Sequence, residues 1–147
     1  MNKIKYFFIF LFAIVFASPQ KVTAQNNSDW QPIYLLVTGD NTMDGVEAFF
    51  QINTCNGVDI VNIKFINHNA NAVKIEWFDA VFSQELKWNN KEAPGDKKSM
   101  VLAANAEVKG GCSNLYPELF VKIKDFVADK KDFKRYAASR FKVVSVQ

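Results

Sequence analysis

The sequence predicts an all-β protein, one antiparallel sandwich of about seven or eight short strands with a single short helix near the C-terminus. Three observations carry that expectation. Apolar and polar residues alternate with the two-residue period of half-buried strands over most of the chain. Clusters of Asn, Asp and Gly break the alternation about every ten residues, as turns do. The stretch 55–78 (CNGVDIVNIKFINHNANAVKIEWF) concentrates both signals and holds a cysteine at its start and a tryptophan near its end.

The elements follow in order. Pro32 leads into a first strand over 33–37 (IYLLV), where a proline suits a strand start or an edge. After the turn cluster 38–45 (TGDNTMDG), residues 46–53 alternate. Val46, Ala48, Phe50 and Ile52 are directed inward, and Glu47, Phe49, Gln51 and Asn53 outward. Asn56-Gly57 is the strongest short hairpin signal, and the strand after it, 59–67, turns Val61, Ile63 and Phe65 inward. Residues 67–71 (NHNAN) form a turn from side chains that tolerate left-handed backbone and hydrogen-bond to it. Val73, Ile75 and Trp77 then face the core, with Lys74 and Glu76 outside. A further alternation over 82–88 sets Phe82, Leu86 and Trp88 on one side, and Gln84 interrupts it, which demands a bend or an edge strand. A polar loop over 89–99 centres on Pro94-Gly95. A short strand over 100–106, a tight turn at Lys109-Gly110-Gly111-Cys112 and a strand over 119–127 come next. Residues 129–139 (DKKDFKRYAAS) read as the helix, capped by Asp129, with Asp132 in its first turn and Phe133 and Tyr136 inward. Residues 140–146 (RFKVVSV) close the chain as a last strand.

The first residues give a compartment. Lys3 and Lys5 precede an apolar run over 6–17 (YFFIFLFAIVFA), and Val22-Thr23-Ala24 supplies a small-residue cleavage site. That order is a secretory signal peptide, and the run is shorter than the ~20 residues a bilayer span needs. Residues 1–24 are therefore expected to be removed, 25–31 to form a loose mature terminus, and 32–147 to fold as one domain. The mature chain is exported, periplasmic or extracellular, with no membrane span left. Loss of Lys3, Lys5 and Lys21 leaves 15 basic against 15 acidic residues. A neutral chain lacks the basic footprint of a nucleic-acid binder. Charge is uneven along it: residues 25–96 carry 10 acids and 4 bases, residues 97–147 carry 5 acids and 11 bases. Packing of the two halves against each other would neutralise both. Two cysteines in an exported chain pair most simply as one disulfide, Cys55–Cys112.

Cys55 before a strand, the Asn67-x-Asn69 turn, the Val73-x-Ile75-x-Trp77 strand and Gly110-x-Cys112 before another strand resemble the immunoglobulin-like or fibronectin-III-like sandwiches of small exported proteins typical of Bacteroidota. The resemblance covers residues 46–127 and implies an immunoglobulin-like fold but no activity. Trp77 lies further from Cys55 than in the antibody pattern, and both cysteines sit in turn-like contexts. A bridge pinning two loops is therefore expected in place of the buried inter-sheet disulfide.

Catalytic groups are scarce. A Ser/His/Asp triad would have to use His68, the only histidine, which sits in the asparagine-rich turn with no G-x-S-x-G elsewhere. Carboxylates for glycosidase chemistry could be drawn from Glu76, Asp79 and Glu85, but Glu76 and Glu85 fall on outward faces and surface acids are abundant. Asp40, Asp44 and Glu47 around Gly45 are a weak calcium candidate, without an acid at the third position and with Gln51 where a closing glutamate would stand. No cofactor motif is present. What remains is a non-catalytic binding or assembly module whose partner is a protein or a glycan in the envelope or outside the cell. Phe49, Trp88, Trp30 and Tyr116 are the candidate contact residues. Carbohydrate binding through the exposed aromatics is the alternative, and a carboxylate-dependent hydrolase a distant third.

Overall fold

The computed structural model describes residues 29–113 and 115–146. The expected signal peptide lies outside them, as do residues 25–28 of the expected loose terminus. The alternating segments form eleven strands: β1 (Gln31–Pro32), β2 (Tyr34–Leu35), β3 (Thr42–Met43), β4 (Val46–Cys55), β5 (Val58–Asn67), β6 (Val73–Ser83), β7 (Trp88–Asn90), β8 (Lys98–Leu102), β9 (Glu107–Lys109), β10 (Phe120–Lys122) and β11 (Phe133–Ser145). They make two sheets. The six-stranded sheet has the order β1-β4-β5-β10, with β3 also on β4 and β9 also on β5. The five-stranded sheet has the order β2-β11-β6-β7, with β8 also on β6. Long strands occupy the centres, and the outermost strands are pieces of two to five residues.

The residues expected inward form the core between the sheets. Val46, Ala48 and Phe50 from β4, Val61, Ile63 and Phe65 from β5, and Val73, Ile75 and Trp77 from β6 all belong to one buried cluster. Asn56 and Gly57 form the two-residue turn of the β4–β5 hairpin, both at positive φ (50° and 77°), as the favoured hairpin geometry requires. The asparagine-rich turn carries the chain from one sheet to the other. Asn67 is fully buried there. Its amide donates to the carbonyls of Asn71, Leu102 and Ala103, and its oxygen accepts from the backbone and side chain of Asn69. Asn69 in turn packs so close to Gly45 that any Cβ there would lie 2.6 Å from its side-chain oxygen.

Two expectations are corrected and a third is resolved. Residues 129–139 are not a helix. Lys130–Asp132 make one 3-10 turn, with Lys131 N donating to Asp129 Oδ1 at 2.9 Å, and β11 starts at Phe133. The helical spacing of Phe133 and Tyr136 arises from a bulge in β11. A register shift between Phe133 and Arg135 inserts Lys134, so residues three apart both face the core from a strand. The interruption expected at Gln84 is a bend that leads into the short edge strand β7. β6 runs on to Ser83, the chain reverses with Leu86 at φ 60°, and β7 begins at Trp88. The first strand is divided: β1 pairs with β4, and β2 crosses to the other sheet and pairs in parallel with β11.

The Cys55–Cys112 disulfide is present. It ties the last residue of β4 to the connection between β9 and β10, so one partner is a strand end where two loops were expected. The two oppositely charged halves do meet. Lys97 pairs with Glu76, Lys98 with Asp79, Lys130 with Asp59 and Arg140 with Glu92.

Candidate functional site

The feature without a full packing explanation lies on the outer face of the five-stranded sheet. By alternation Ala80 of β6 and Ala137 of β11 point outward, and they are register neighbours. Both are nevertheless fully buried. Their small side chains leave a trough, and two rings lean over it from opposite sides, Tyr34 from β2 and Trp88 from β7. Those rings are stacked, with centroids 6.2 Å apart and planes 13° off parallel. Phe82, the cross-strand partner of Trp88, lies against it at 4.8 Å. Covering two alanines does not require exposed rings, yet Trp88 and Tyr34 remain 37% and 38% exposed.

The bulge in β11 adds charge to this strip. Because Lys134 is the extra residue, Lys134 and Arg135 are both exposed despite being consecutive. Lys134 lies over the Phe82 ring at 5.4 Å and Arg135 over the Tyr34 ring at 5.8 Å, within cation–π range. Tyr34, Lys134 and Arg135 also line a cleft of about 600 Å³, at the place where the first strand changes sheets. Gln31, Asp40 and Asn41 supply its remaining polar wall. Strip and cleft are thus one continuous surface of aromatic faces, amides and two cations.

The sequence-chosen residues are scattered relative to this surface, and only Trp88 belongs to it. Trp30 and Phe49 come together on the outer face of the other sheet, where Lys64 sits 5.0 Å and 4.7 Å from their ring centroids. Tyr116 stands apart in the connection that carries Cys112. Sequence reading missed Tyr34, Phe82, Lys134 and Arg135. The Ala-Ala pairing that admits the rings is a cross-strand relation, and the outward turn of both cations depends on a bulge that imitates helical spacing.

The carboxylate candidates are placed differently. Glu76 and Asp79 lie on opposite faces of β6, so they do not flank a common bond. Glu76 is held by Lys74 and Lys97, whose hydrogen bonds lower its pKa, and Glu85 stands in the exposed β6–β7 turn. Asp79 faces the core and is saturated. Tyr136 and Trp77 donate to its Oδ1 at 2.5 and 3.3 Å, and Lys98 pairs with its Oδ2 at 2.8 Å. His68 is exposed and contacts Glu47 at 3.2 Å. Glu47 also accepts from Asn41, and Asp40 accepts from the Asn41 backbone. Among the described residues no three His, Cys, Asp or Glu side chains gather as a metal cluster, so Asp40, Asp44 and Glu47 do not form a ligand set.

The Asp79 network predicts a pH response. Burial pushes the Tyr136 phenol well above its usual range, and the Asp79 charge and hydrogen bond add to the effect. The unfolded phenol ionises near pH ~10 while the folded one keeps its proton, so stability is intact below that pH and falls as pH rises through it. An alkaline titration of tyrosinate absorbance should show Tyr136 ionising only with unfolding, and Tyr136→Phe should remove this component of the alkaline instability.

The chain matches no protein-family model, no curated protein and no solved structure.

Proposed function

We propose that this protein is an exported, non-catalytic binding module that takes a saccharide on the outer face of its five-stranded sheet. The observation that carries the reading is the Tyr34–Trp88 pair, stacked over the Ala80–Ala137 trough, partly exposed, and continuous with the 600 Å³ cleft. Aromatic faces bury the apolar faces of sugar rings, while amides such as Gln31 and Asn41 serve their hydroxyls. The disulfide supports an oxidising compartment, and among the described residues no helix is long and apolar enough to cross a membrane. The first strand's switch between sheets and the parallel pairing of β2 with β11 support an immunoglobulin-like sandwich. The β4–β5 hairpin within one sheet departs from antibody strand order.

A glycan panel titrated against tryptophan fluorescence tests this. Quenching or a blue shift is expected with at least one glycan. Trp88→Ala should abolish the signal and weaken affinity by up to about tenfold, since one lost ring stack contributes roughly 0.5–1.5 kcal/mol. A flat titration across the panel would remove the reading.

A second reading, a protein partner added by strand pairing, is favoured by one observation. β2 covers only Ala137 and Ala138 of the outer edge of β11, and no strand among the described residues pairs with that edge beyond them. A stoichiometric protein captured from crosslinked envelope, with no glycan response, would favour it.

A further inference from the structure

We infer that the saccharide bound on this surface is acidic, its carboxylate or sulfate held by Lys134 and Arg135. The inference rests on the binding reading above and adds the charge of the ligand. Four observations on the same few residues carry it.

The bulge in β11 turns two consecutive cations outward, where a regular strand would send one of them to the opposite face. Neither cation has a carboxylate partner among the described residues. The cations that flank them along the chain, Lys131 and Arg140, are paired with Asp129 and Glu92. Both unpaired cations are held over rings of the strip itself, at 5.4 and 5.8 Å, which fixes their heads beside the stacking surface. Both also border the 600 Å³ cleft, whose lining holds one acid, Asp40, against these two cations. Asp40 Oδ1 is occupied by the Asn41 backbone N–H at 2.7 Å. A sugar ring seated on Trp88 and Tyr34 would therefore direct a ring substituent toward a guanidinium, which binds carboxylate or sulfate through two parallel N–H donors. Neutral sugars would leave both cations without a counter-charge.

The test is calorimetric titration of the disulfide-bonded protein with two matched pairs of polymers. Polygalacturonate is compared with its methyl ester, and dextran sulfate with dextran. Binding of an acidic member about tenfold or more tighter than its neutral counterpart is expected, weakening with salt. The first pair reports a carboxylate ligand and the second a sulfate. Arg135→Gln and Lys134→Gln should each weaken acid binding severalfold, with Arg135→Lys retaining part of it, whereas Lys87→Gln, on the β6–β7 turn and paired with Glu85, should leave it unchanged. Trp88→Ala should weaken binding to acidic and neutral members alike.

Equal binding of the neutral polymers, insensitive to Arg135→Gln, would overturn the acidic assignment and leave the aromatic reading standing. Binding of poly-L-glutamate as tight as that of the acidic sugars, unaffected by Trp88→Ala, would overturn it too, since the cations would then be a general anion patch. Binding to none of the four polysaccharides would overturn both. Unfolding curves of each variant separate lost contacts from lost folding.

Discussion

Trp77→Ala is expected to lower the free energy of unfolding by about 3–5 kcal/mol, the range for truncating a large buried aromatic. Trp77 is completely buried, and its ring meets Phe65 edge-on at 5.0 Å. Phe65 is in turn stacked on Phe141 at 5.8 Å. Removing the indole thus unsupports a chain of rings that runs from one sheet to the other. It also strips Asp79 of one donor at the buried Oδ1, leaving Tyr136 alone there. Against a total stability of roughly 5–15 kcal/mol, the loss is a large fraction. Urea unfolding followed by circular dichroism measures it. Trp77→Phe separates the two contributions, because it keeps a ring and deletes the N–H. A cost below about 1 kcal/mol for Trp77→Ala would mean that the site is far less tightly packed than the ring contacts indicate.

The second large effect is expected from the disulfide. Cys55 and Cys112 are 57 residues apart in sequence, and a crosslink closing a loop of that length stabilises by about 4 kcal/mol through the chain entropy it removes from the unfolded state. The bridge joins the end of the central β4–β5 hairpin to the connection between two three-residue strands, β9 and β10, on the edge of β5. Those short strands contribute few ladder hydrogen bonds of their own. Reduction under native conditions, or the Cys55→Ser, Cys112→Ser double variant, should lower the urea midpoint accordingly. Proteolysis should open first within residues 110–119. An unchanged midpoint would show that native packing alone holds this edge. The outer aromatic strip lies on the other sheet, so glycan binding should survive reduction wherever the protein stays folded.

Much of the architecture was legible in the chain. Strict alternation placed the core residues of β4, β5 and β6 on the correct faces, because a period of two leaves only one register with an apolar side. Asn56-Gly57 specified its hairpin, because few other pairs accept two positive φ angles. The cysteine pairing followed from there being only two. The main failure has a physical cause. Phe133 and Tyr136 imitated a helix because a bulge changes the phase of a strand without leaving a mark in composition. Gln84 marked the break between Phe82 and Trp88, and only the structure placed the reversal at Leu86, which takes a positive φ without being a glycine.

By itself the sequence determined the class of fold, the inward faces of the central strands, the covalent crosslink and the poverty of catalytic groups. These depend on local periodicity, on turn chemistry and on residue counts. Only the tertiary structure decided where a ligand could sit. The candidate surface exists because Ala80 and Ala137 become neighbours across two strands far apart in sequence, making room for Tyr34 and Trp88 to meet above them, and because one inserted residue turns Lys134 and Arg135 the same way. Cross-strand adjacency and bulge phase are long-range properties of the folded sheet, and no local pattern encodes them.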